Sequence, residues 1–300
     1  MGGCFSGRAI GSSGENSHAR TRRRFRRDRQ IDLARIAMVV PRRPGRVSSR
    51  RDSMPIQIVR ADGTTLYRAD VEELREAVER AVEERIDLAG ALLAGADLQG
   101  ADLEDARLAG ADLSGARLDG ANVEDADLAG AKLDDASARG TNFESASLAG
   151  ASLLRANLDG ANLERVDLEG AALEGARAVR ANLERAKLVR VSAQGAVLKW
   201  ANVEKSDLHG ADLSRADLTG ANIEKSDLRN IRLIEAVLAG ANIVKADLRN
   251  ADLSSADLSE ANLEKCDVEG ACLDGAKLAG ANLEGLSGRL RAREGSGPYR

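Results

Sequence analysis

Two copies of one motif lie twenty residues apart in this chain: ANVEKSDLHG at 201–210 and ANIEKSDLRN at 221–230. Each copy contains two five-residue units of the form A-(D/N)-L-x-x. Variants of this unit follow one another without insertion or deletion from Ile86 to Gly285, forty in all. The third position is mostly Leu, and the first is Ala in thirty-two of the forty units. This array decides the fold, because it makes up most of the 300 residues.

A five-residue period fits neither an α-helix, which repeats about every 3.6 residues, nor a strand, which alternates about every 2. Apolar first and third positions point the same way in a short extended segment, and the last two positions must then turn the chain. Gly is frequent at the fifth position, where a turn uses its freedom to adopt positive φ. A short side followed by a corner predicts a solenoid with a thin, regular interior, consistent with an aromatic content of 2%.

The array resembles the pentapeptide repeat family, whose motif is A-(D/N)-L-x-x. The resemblance implies an all-β solenoid, a right-handed quadrilateral β-helix with one pentad per side and four per coil. It also implies an interior filled by the central Leu and the preceding Ala. Most proteins of the family have no assigned chemistry. Some acidic bacterial members occupy the DNA-binding site of DNA gyrase and protect it from quinolones or peptide toxins.

A twenty-residue super-period in the array tests the number four. In the units centred on residues 103, 123 and so on to 283, the second position is Asn in nine of ten and the fourth is Glu in nine of ten. In the other thirty units Asn occurs at the second position once, at Asn157. Square coils would stack residues twenty apart, so we expect an Asn ladder, about ten coils and a rod of roughly 48 Å. Recent duplication of a twenty-residue block is an alternative origin, and it would itself make twenty residues the structural module.

Residue sizes along the interior also indicate stacked coils. Phe143 is the only aromatic central residue, the unit before it is centred on Ala138, and the unit twenty residues earlier is centred on Val123. A second such case is the unit 191–195. Its third position is the small Ala193 where most units have Leu, and its first position is the larger Val191 where most units have Ala. A narrow, close-packed interior requires such compensation.

The segment 54–85 is predicted to be an N-terminal hairpin-plus-helix cap. Two short β-like runs flank Asp62-Gly63, a strong hairpin turn signal. A helical pattern then follows Asp70, with Glu73 three places later as a capping-box partner. Because some members of the resembling family begin with a similar hairpin and helix, we expect this segment to cover the open end of the first coil.

The two termini lie outside these elements. Residues 1–53 carry 14 Arg and 4 acids without periodicity and are expected to be a disordered basic leader. Met54 is a candidate native start, which would make the leader an over-extended gene model. Within it, MGGCFS at 1–6 fits a myristoylation pattern and TRRRFRR at 21–27 resembles an export signal or a phosphate-binding cluster, but a solvated or untranslated leader is favoured. Residues 286–300 form a short tail, and a homodimer through this C-terminal end is a hypothesis.

Catalysis has little support in the sequence. The only histidines are His18 and His209, and no Ser/His/Asp set, phosphate loop or metal-ligand spacing appears. We therefore expect no enzymatic activity, no cofactor and no metal. Three cysteines without a pairing or metal spacing favour a reduced, cytoplasmic setting, and no apolar run is long enough to suggest a membrane span.

The distribution of acidic residues along the array is the feature that suggests a function. Residues 86–165 hold 15 acids and 6 bases, whereas in later units a base follows the Glu, as in Glu204-Lys205. The candidate acidic interaction surface comprises Asp102, Glu104, Asp105, Asp112, Glu124, Asp125, Asp127, Asp134 and Asp135.

Two functions fit this surface. The first is a rigid protein-interaction scaffold whose partner is unknown. The alternative is an acidic DNA mimic that binds DNA gyrase or a topoisomerase, with no direct nucleic-acid binding by the repeats.

Overall fold

The computed structural model of the protein describes residues 55–291. From Asp87 to Asp267, the second residue of each pentad forms a parallel β-bridge with the residue twenty places further on, as in Asn122↔Asn142 and Asp127↔Ser147. Twenty residues therefore make one coil, and its four pentads make four sides. The predictions for residues 1–53, with their targeting motifs and the native start at Met54, lie outside the described residues.

The four sides are numbered here in chain order. The first side contains residues 86–90 and every pentad twenty residues further on, the second begins with 91–95, and the third begins with 96–100. The fourth begins with 101–105 and is called the asparagine side. Because the coil has four sides, the second side lies opposite the asparagine side.

Backbone hydrogen bonds tie each coil to both of its neighbours. The N–H of Leu103 donates forward to the carbonyl of Asn122 at 2.7 Å, and the N–H of Asn122 donates back to the carbonyl of Ala101 at 2.9 Å. The fifth residue of the pentad turns the corner in the left-handed region, with φ of 65° at Gly110 and 60° at Lys205. Glycine adopts this conformation without a steric penalty, which explains its frequency at the corners.

The first and third positions of the pentads fill the interior. Phe143 is completely buried, and its small neighbours Ala138 and Val123 are each 1% exposed. The large side chain therefore occupies the space that a second leucine would have used. The compensation predicted around Phe143 is confirmed.

A cavity of about 30 Å³ lies in the interior further along the array. Its lining includes Leu173, Ala178, Val191, Ala193 and Leu198, and every lining residue is apolar. Two of the central positions here are alanines, and Val191 does not replace all of the volume that a leucine at 193 would supply. The predicted compensation of Ala193 by Val191 is thus incomplete.

Polar residues at the inward first position are satisfied by one recurring hydrogen bond. Thr141 Oγ1 donates to the carbonyl of Leu118 at 2.6 Å, and Ser206 Oγ donates to that of Leu183 at 2.6 Å. Cys266 makes the equivalent contact with Ile243, and burial raises the pKa of its thiol to about 11. These side chains replace Ala without leaving an unpaired polar group in the core.

Three regular elements precede the array: strand β1 at Ile56–Val59, strand β2 at Thr65–Ala69 and helix α1 at Leu74–Glu83. The strands pair antiparallel, with an irregularity in register between Ile58 and Val59. The N–H of Leu92 donates to the carbonyl of Val59 at 2.8 Å, which joins the hairpin to the first coil. Ile58, Val78 and Ala81 are buried in the same core as Leu88.

The sequence-based start of the helix is wrong. Helix α1 begins at Leu74 with Glu73 at the N-cap, and no side chain caps it. Val71 precedes the helix instead of lying in its first turn, and the N-cap is Glu73 rather than Asp70. The physical reason is packing: Val71 is 6% exposed in a small apolar cluster with Ala69 and Ala77, which holds the chain outside the helix at this point.

The two ends of the described array differ in exposure. Leu88, Leu93, Leu98 and Leu103 of the first coil are at most 1% exposed. At the other end Leu283 is 42% exposed. The interior is therefore covered beside the hairpin and α1 and more open beside residue 283.

Candidate functional site

A ladder of asparagines runs along the asparagine side, as predicted. Nδ2 of Asn142 donates to Oδ1 of Asn122 at 3.1 Å, and Nδ2 of Asn162 donates to Oδ1 of Asn142 at 2.9 Å. The same step recurs in later coils except between Asn242 and Asn262. Apart from that of Asn242, each Oδ1 also accepts the backbone N–H two residues on, as from Glu144 to Asn142 at 3.2 Å. The Asn side chains are therefore fixed in the array, and so are the residues that flank them.

Toward the N-terminal end of the asparagine side, carboxylates accept the hydrogen bonds that the Asn side chains donate. Oδ1 of Asp102 accepts from Nδ2 of Asn122 at 3.2 Å, and Oε2 of Glu104 accepts from the same nitrogen at 3.2 Å. Oε2 of Glu124 accepts from Nδ2 of Asn142 at 3.0 Å. These amide contacts orient the carboxylates but leave their charge in place.

Nothing within residues 55–291 forms a salt bridge with the acids of the first two coils on this side: Asp102, Glu104, Asp105, Glu124 and Asp125. Asp105 and Asp125 occupy the exposed corners, with φ of 60° and 55°. These five residues are called the acidic surface below. It is a set of negative charges stacked at a spacing of roughly 4.8 Å.

Later coils of the same side neutralise their glutamates. Arg165 contacts Glu144 at 2.8 Å and Glu164 at 3.0 Å, so one corner base serves two coils. Lys205 contacts Glu204 at 2.8 Å and Glu184 at 3.4 Å. The hydrogen bond from Lys205 holds the pKa of Glu204 below its ordinary value. The change from unpaired to paired carboxylates, which the sequence predicts, is confirmed by these contacts.

Helix α1 extends the acidic surface, which sequence reasoning missed. Glu79 and Glu83 line an open groove of about 760 Å³ together with residues of the acidic surface, and Arg85 and Arg107 also line it. Oε1 of Glu79 accepts the backbone N–H of Asp102 at 3.2 Å. The spacing of four between these glutamates places them on one helical face, and this signal could have revealed their contribution.

The structure divides the nine predicted residues among three sides. Five form the acidic surface, and Asp127 lies on the adjoining first side. Asp112, Asp134 and Asp135 lie on the second side, opposite the acidic surface.

The second side differs from the acidic surface in that one of its three predicted acids forms a salt bridge. Asp135 pairs with Arg155 at 2.6 Å, a contact that lowers the pKa of Asp135. Asp134 accepts the N–H of Leu154 at 3.1 Å, and Asp112 accepts the N–H of Ser114 at 3.1 Å. The nine residues are thus two surfaces rather than one.

Two further observations concern the described residues only. Residues 55–291 contain no group of three or more His, Cys, Asp or Glu side chains arranged to hold a metal ion. Within the same range, the helical segment found is too short and polar for a membrane crossing.

Comparison with known proteins gives one family and several similar structures. A family model described as pentapeptide repeats matches in eight copies, over residues 86–125, 126–165, 167–203, 196–233 and 231–270. No curated protein gave a significant match.

Among solved structures, the chain is similar to HetL, a pentapeptide repeat protein involved in heterocyst differentiation regulation from the cyanobacterium Nostoc sp. strain PCC 7120. The two are 32% identical, the match covers 70% of this chain and 95% of HetL, and the TM-score is 0.50. With the observed bridges, this similarity identifies the array as a right-handed β-helix.

Two further structures match less extensively. A pentapeptide repeat protein from the Arabidopsis thaliana thylakoid lumen is 29% identical over 34% of this chain and 68% of that protein, with a TM-score of 0.29. QnrB1, a plasmid-mediated fluoroquinolone resistance protein, is 23% identical over 54% of this chain and 89% of QnrB1, with a TM-score of 0.28.

Proposed function

Because this chain belongs to the pentapeptide repeat family, we propose that it acts as a non-enzymatic scaffold that binds another protein through its acidic surface. The rows of side chains are held by the β-bridges and the Asn ladder, so little ordering is needed when a partner binds. HetL is described as involved in a regulatory process, and action through binding is in keeping with such a role.

The proposed architecture has about ten coils over residues 86–285, preceded by a hairpin-plus-helix cap over 54–85 and followed by a tail over 286–300. The burial of Val78 and Ala81 in one core with Leu88 supports the cap. The twenty-residue register of the bridges supports the coil count.

The observation that carries the proposed function is the unpaired acidic surface. Stacked like charges repel one another, and the later coils of the same side relieve this repulsion with corner bases. Corner bases would fit equally well at 105 and 125, since Lys205 and Lys225 have the same backbone conformation as Asp105 and Asp125. A basic partner surface is the complement that would relieve the repulsion in the first two coils.

Charge reversal tests this proposal. Three baits are compared in cell extract: the wild-type protein, the variant Glu104→Lys/Glu124→Lys and the variant Glu204→Lys/Glu224→Lys. Each protein that a bait retains is then purified, and its affinity for all three baits is measured by titration. We expect a partner that is lost from the first variant and kept by the second, with an affinity that falls as salt rises. A partner set that does not distinguish the two variants would contradict the proposal.

The second candidate function is mimicry of DNA toward DNA gyrase or a topoisomerase, and charge density favours it. Residues 102–135 contain ten carboxylates and three basic residues, a net charge of −7. They occupy fewer than two coils, or roughly 8 Å of rod. About one net charge per Å is comparable with duplex DNA, which carries one per about 1.7 Å.

Gyrase supercoiling assays, with and without a quinolone, separate the two functions. A mimic inhibits supercoiling or protects the enzyme from the drug, and Glu104→Lys/Glu124→Lys abolishes the effect while Glu204→Lys/Glu224→Lys keeps it. No inhibition, protection or binding at micromolar protein would exclude gyrase as the partner and leave the scaffold function to be tested by the extract experiment.

Two subsidiary proposals concern assembly and location. The exposure of Leu283 supports a homodimer through the C-terminal end. A clean monomer mass in solution at micromolar concentration would overturn it. A cytoplasmic location is proposed from the cysteine pattern, and cell fractionation with an antibody to the natural protein tests it.

A further inference from the structure

The only tryptophan of the chain lies on the surface, far along the rod from the acidic surface. Trp200 is 53% exposed and occupies a corner of the third side with φ of 55°. The corresponding corners at 160, 220 and 240 are glycines, which suit this backbone far better than a bulky side chain. Folding alone therefore gives no reason for a tryptophan at this position.

The indole is fixed between neighbouring coils. The guanidinium of Arg180, one coil earlier, lies 5.5 Å from the ring centroid. One coil later, a Cβ on Gly220 would lie 2.6 Å from Cδ1 of the ring, so only glycine leaves room for it. A ring held in this way loses little freedom on binding, as is typical of aromatic anchors in protein interfaces. Because the Arg180 guanidinium already lies over the ring, stacking of a nucleobase on that face is disfavoured.

Three valines lie on the same side of the rod as the indole. Val197 and Val237 are the only valines at the second position of any pentad, and both lie on this side. Val179 is at the fourth position one coil before Val197. All three are partly exposed. The residues Val179, Arg180, Val197, Lys199, Trp200 and Val237 are called the Trp200 patch below.

The patch lies on a positively charged stretch of an otherwise acidic array. Between residues 136 and 240, the third side carries four bases and two acids, namely Arg139, Arg177, Arg180, Lys199, Asp159 and Asp217. The two acids pair with Arg177 at 3.1 Å and Lys199 at 2.9 Å. Within residues 55–291, Arg139 and Arg180 have no carboxylate at salt-bridge distance.

We propose that the Trp200 patch docks an acidic protein segment that carries a bulky apolar side chain. Trp200 and the valines bury the apolar side chain, while Arg180 attracts a carboxylate. Charge complementarity selects this partner over a basic protein, and the guanidinium of Arg180 over the indole disfavours the stacking that single-stranded nucleic acid would use. The inference shares the binding role proposed above but uses a different surface and a partner of opposite charge.

The test is a selection from a random displayed peptide library on the full chain, with Trp200→Gly as the counter-selection. That variant restores the residue common at this corner, so it should fold. We expect enrichment of acidic peptides with a large apolar residue, and a loss of about tenfold in affinity for Trp200→Gly. Arg190→Gly, at an exposed corner of the first side, is the matched control and should bind like the wild type.

Emission from the single tryptophan provides an independent readout, since a selected peptide should shift it on titration. Enrichment of basic peptides, no enrichment, or peptides that bind Trp200→Gly unchanged would overturn the proposal. So would tighter binding of an oligothymidine or a second copy of the chain at the patch. The variant Glu104→Lys/Glu124→Lys should keep the selected peptides, so failure here is distinguishable from failure of the acidic-surface proposal.

Discussion

Two stretches of three coils, residues 86–145 and 166–225, share one backbone but differ inside and outside. In the first stretch the central side chains are at most 1% exposed. The acids of its asparagine side, apart from Glu144, form no salt bridge within residues 55–291. In the second, Leu173 and Leu198 are 7% and 9% exposed around a cavity, while the outer acids form ion pairs and Trp200 lies on the surface.

This difference shows that the geometry of the coil depends neither on how completely the interior is filled nor on whether the surface acids are paired. The N–H of Asn142 donates to Ala121 at 2.9 Å in the first stretch, and that of Asn202 donates to Ala181 at 2.9 Å in the second. Because each coil contacts only its neighbours, interior volume and surface charge can vary locally. Functional differences can therefore accumulate on one stretch without disturbing another.

The largest effect should come from emptying the filled stretch. Phe143→Ala should lower the free energy of unfolding by about 3–5 kcal/mol, because a completely buried ring is removed from a well-packed site. Leu198→Ala should cost less, nearer about 2 kcal/mol, since Leu198 already borders a cavity. Denaturant unfolding followed by circular dichroism measures both. Equal losses would mean that the two interiors are packed alike.

A matched pair on the third side tests the cavity directly. Ala178→Leu should raise the free energy of unfolding by up to about 1 kcal/mol, because Ala178 lines the cavity. Ala138→Leu, at the same position two coils earlier, should lower it by about 1–3 kcal/mol, because Phe143 already occupies that space. If both variants were destabilised to the same extent, the cavity would not be able to accept a leucine.

Acidification should weaken the ion-paired stretch. Lys205 and Lys225 lower the pKa values of Glu204 and Glu224 below their ordinary 4.5. A lowered folded-state pKa stabilises the protein above the unfolded value, and this stability is lost as pH falls through the folded pKa. The unfolding midpoint should therefore fall between about pH 5 and pH 3. Lys205→Ala/Lys225→Ala should show a shallower fall than wild type, and an unchanged slope would contradict the assignment.

The smallest effect should come from giving the first stretch the corner base of the second. Asp125→Lys should stabilise the fold by a few tenths of a kcal/mol at low salt, because it places a cation beside Glu104 and Glu124. The gain should vanish at high salt. Asp125→Asn is the control that removes the charge without adding a base. A stabilisation that is the same for both substitutions would show that repulsion alone, without pairing, accounts for the effect.

Much of this molecule could be predicted from the sequence, because its elements repeat. The five-residue unit predicted the sides of the coil, and the twenty-residue super-period predicted the coil and the Asn ladder. The hydrogen bond between Asn142 and Asn122 confirms the ladder. Compensation around Phe143 was also predictable, since residues twenty apart are neighbours. The acidic set was less well predicted: counting residues alone did not show that Asp112 and Asp134 face away from Glu104 and Glu124.

Other features depended on how side chains and segments pack. Helix α1 begins later than predicted because Val71 is buried outside it. Glu79 lies beside the acidic surface because the helix packs against the coils, where Glu79 accepts the N–H of Asp102. The cavity beside Ala193 depends on volumes contributed by several coils at once. The sequence by itself determined the period, the coil and the charge of each stretch, because backbone pairing repeats every twenty residues. Only the tertiary structure decided what fills the interior and that Trp200 lies against Gly220, because those outcomes depend on side-chain direction and on the space left by neighbours.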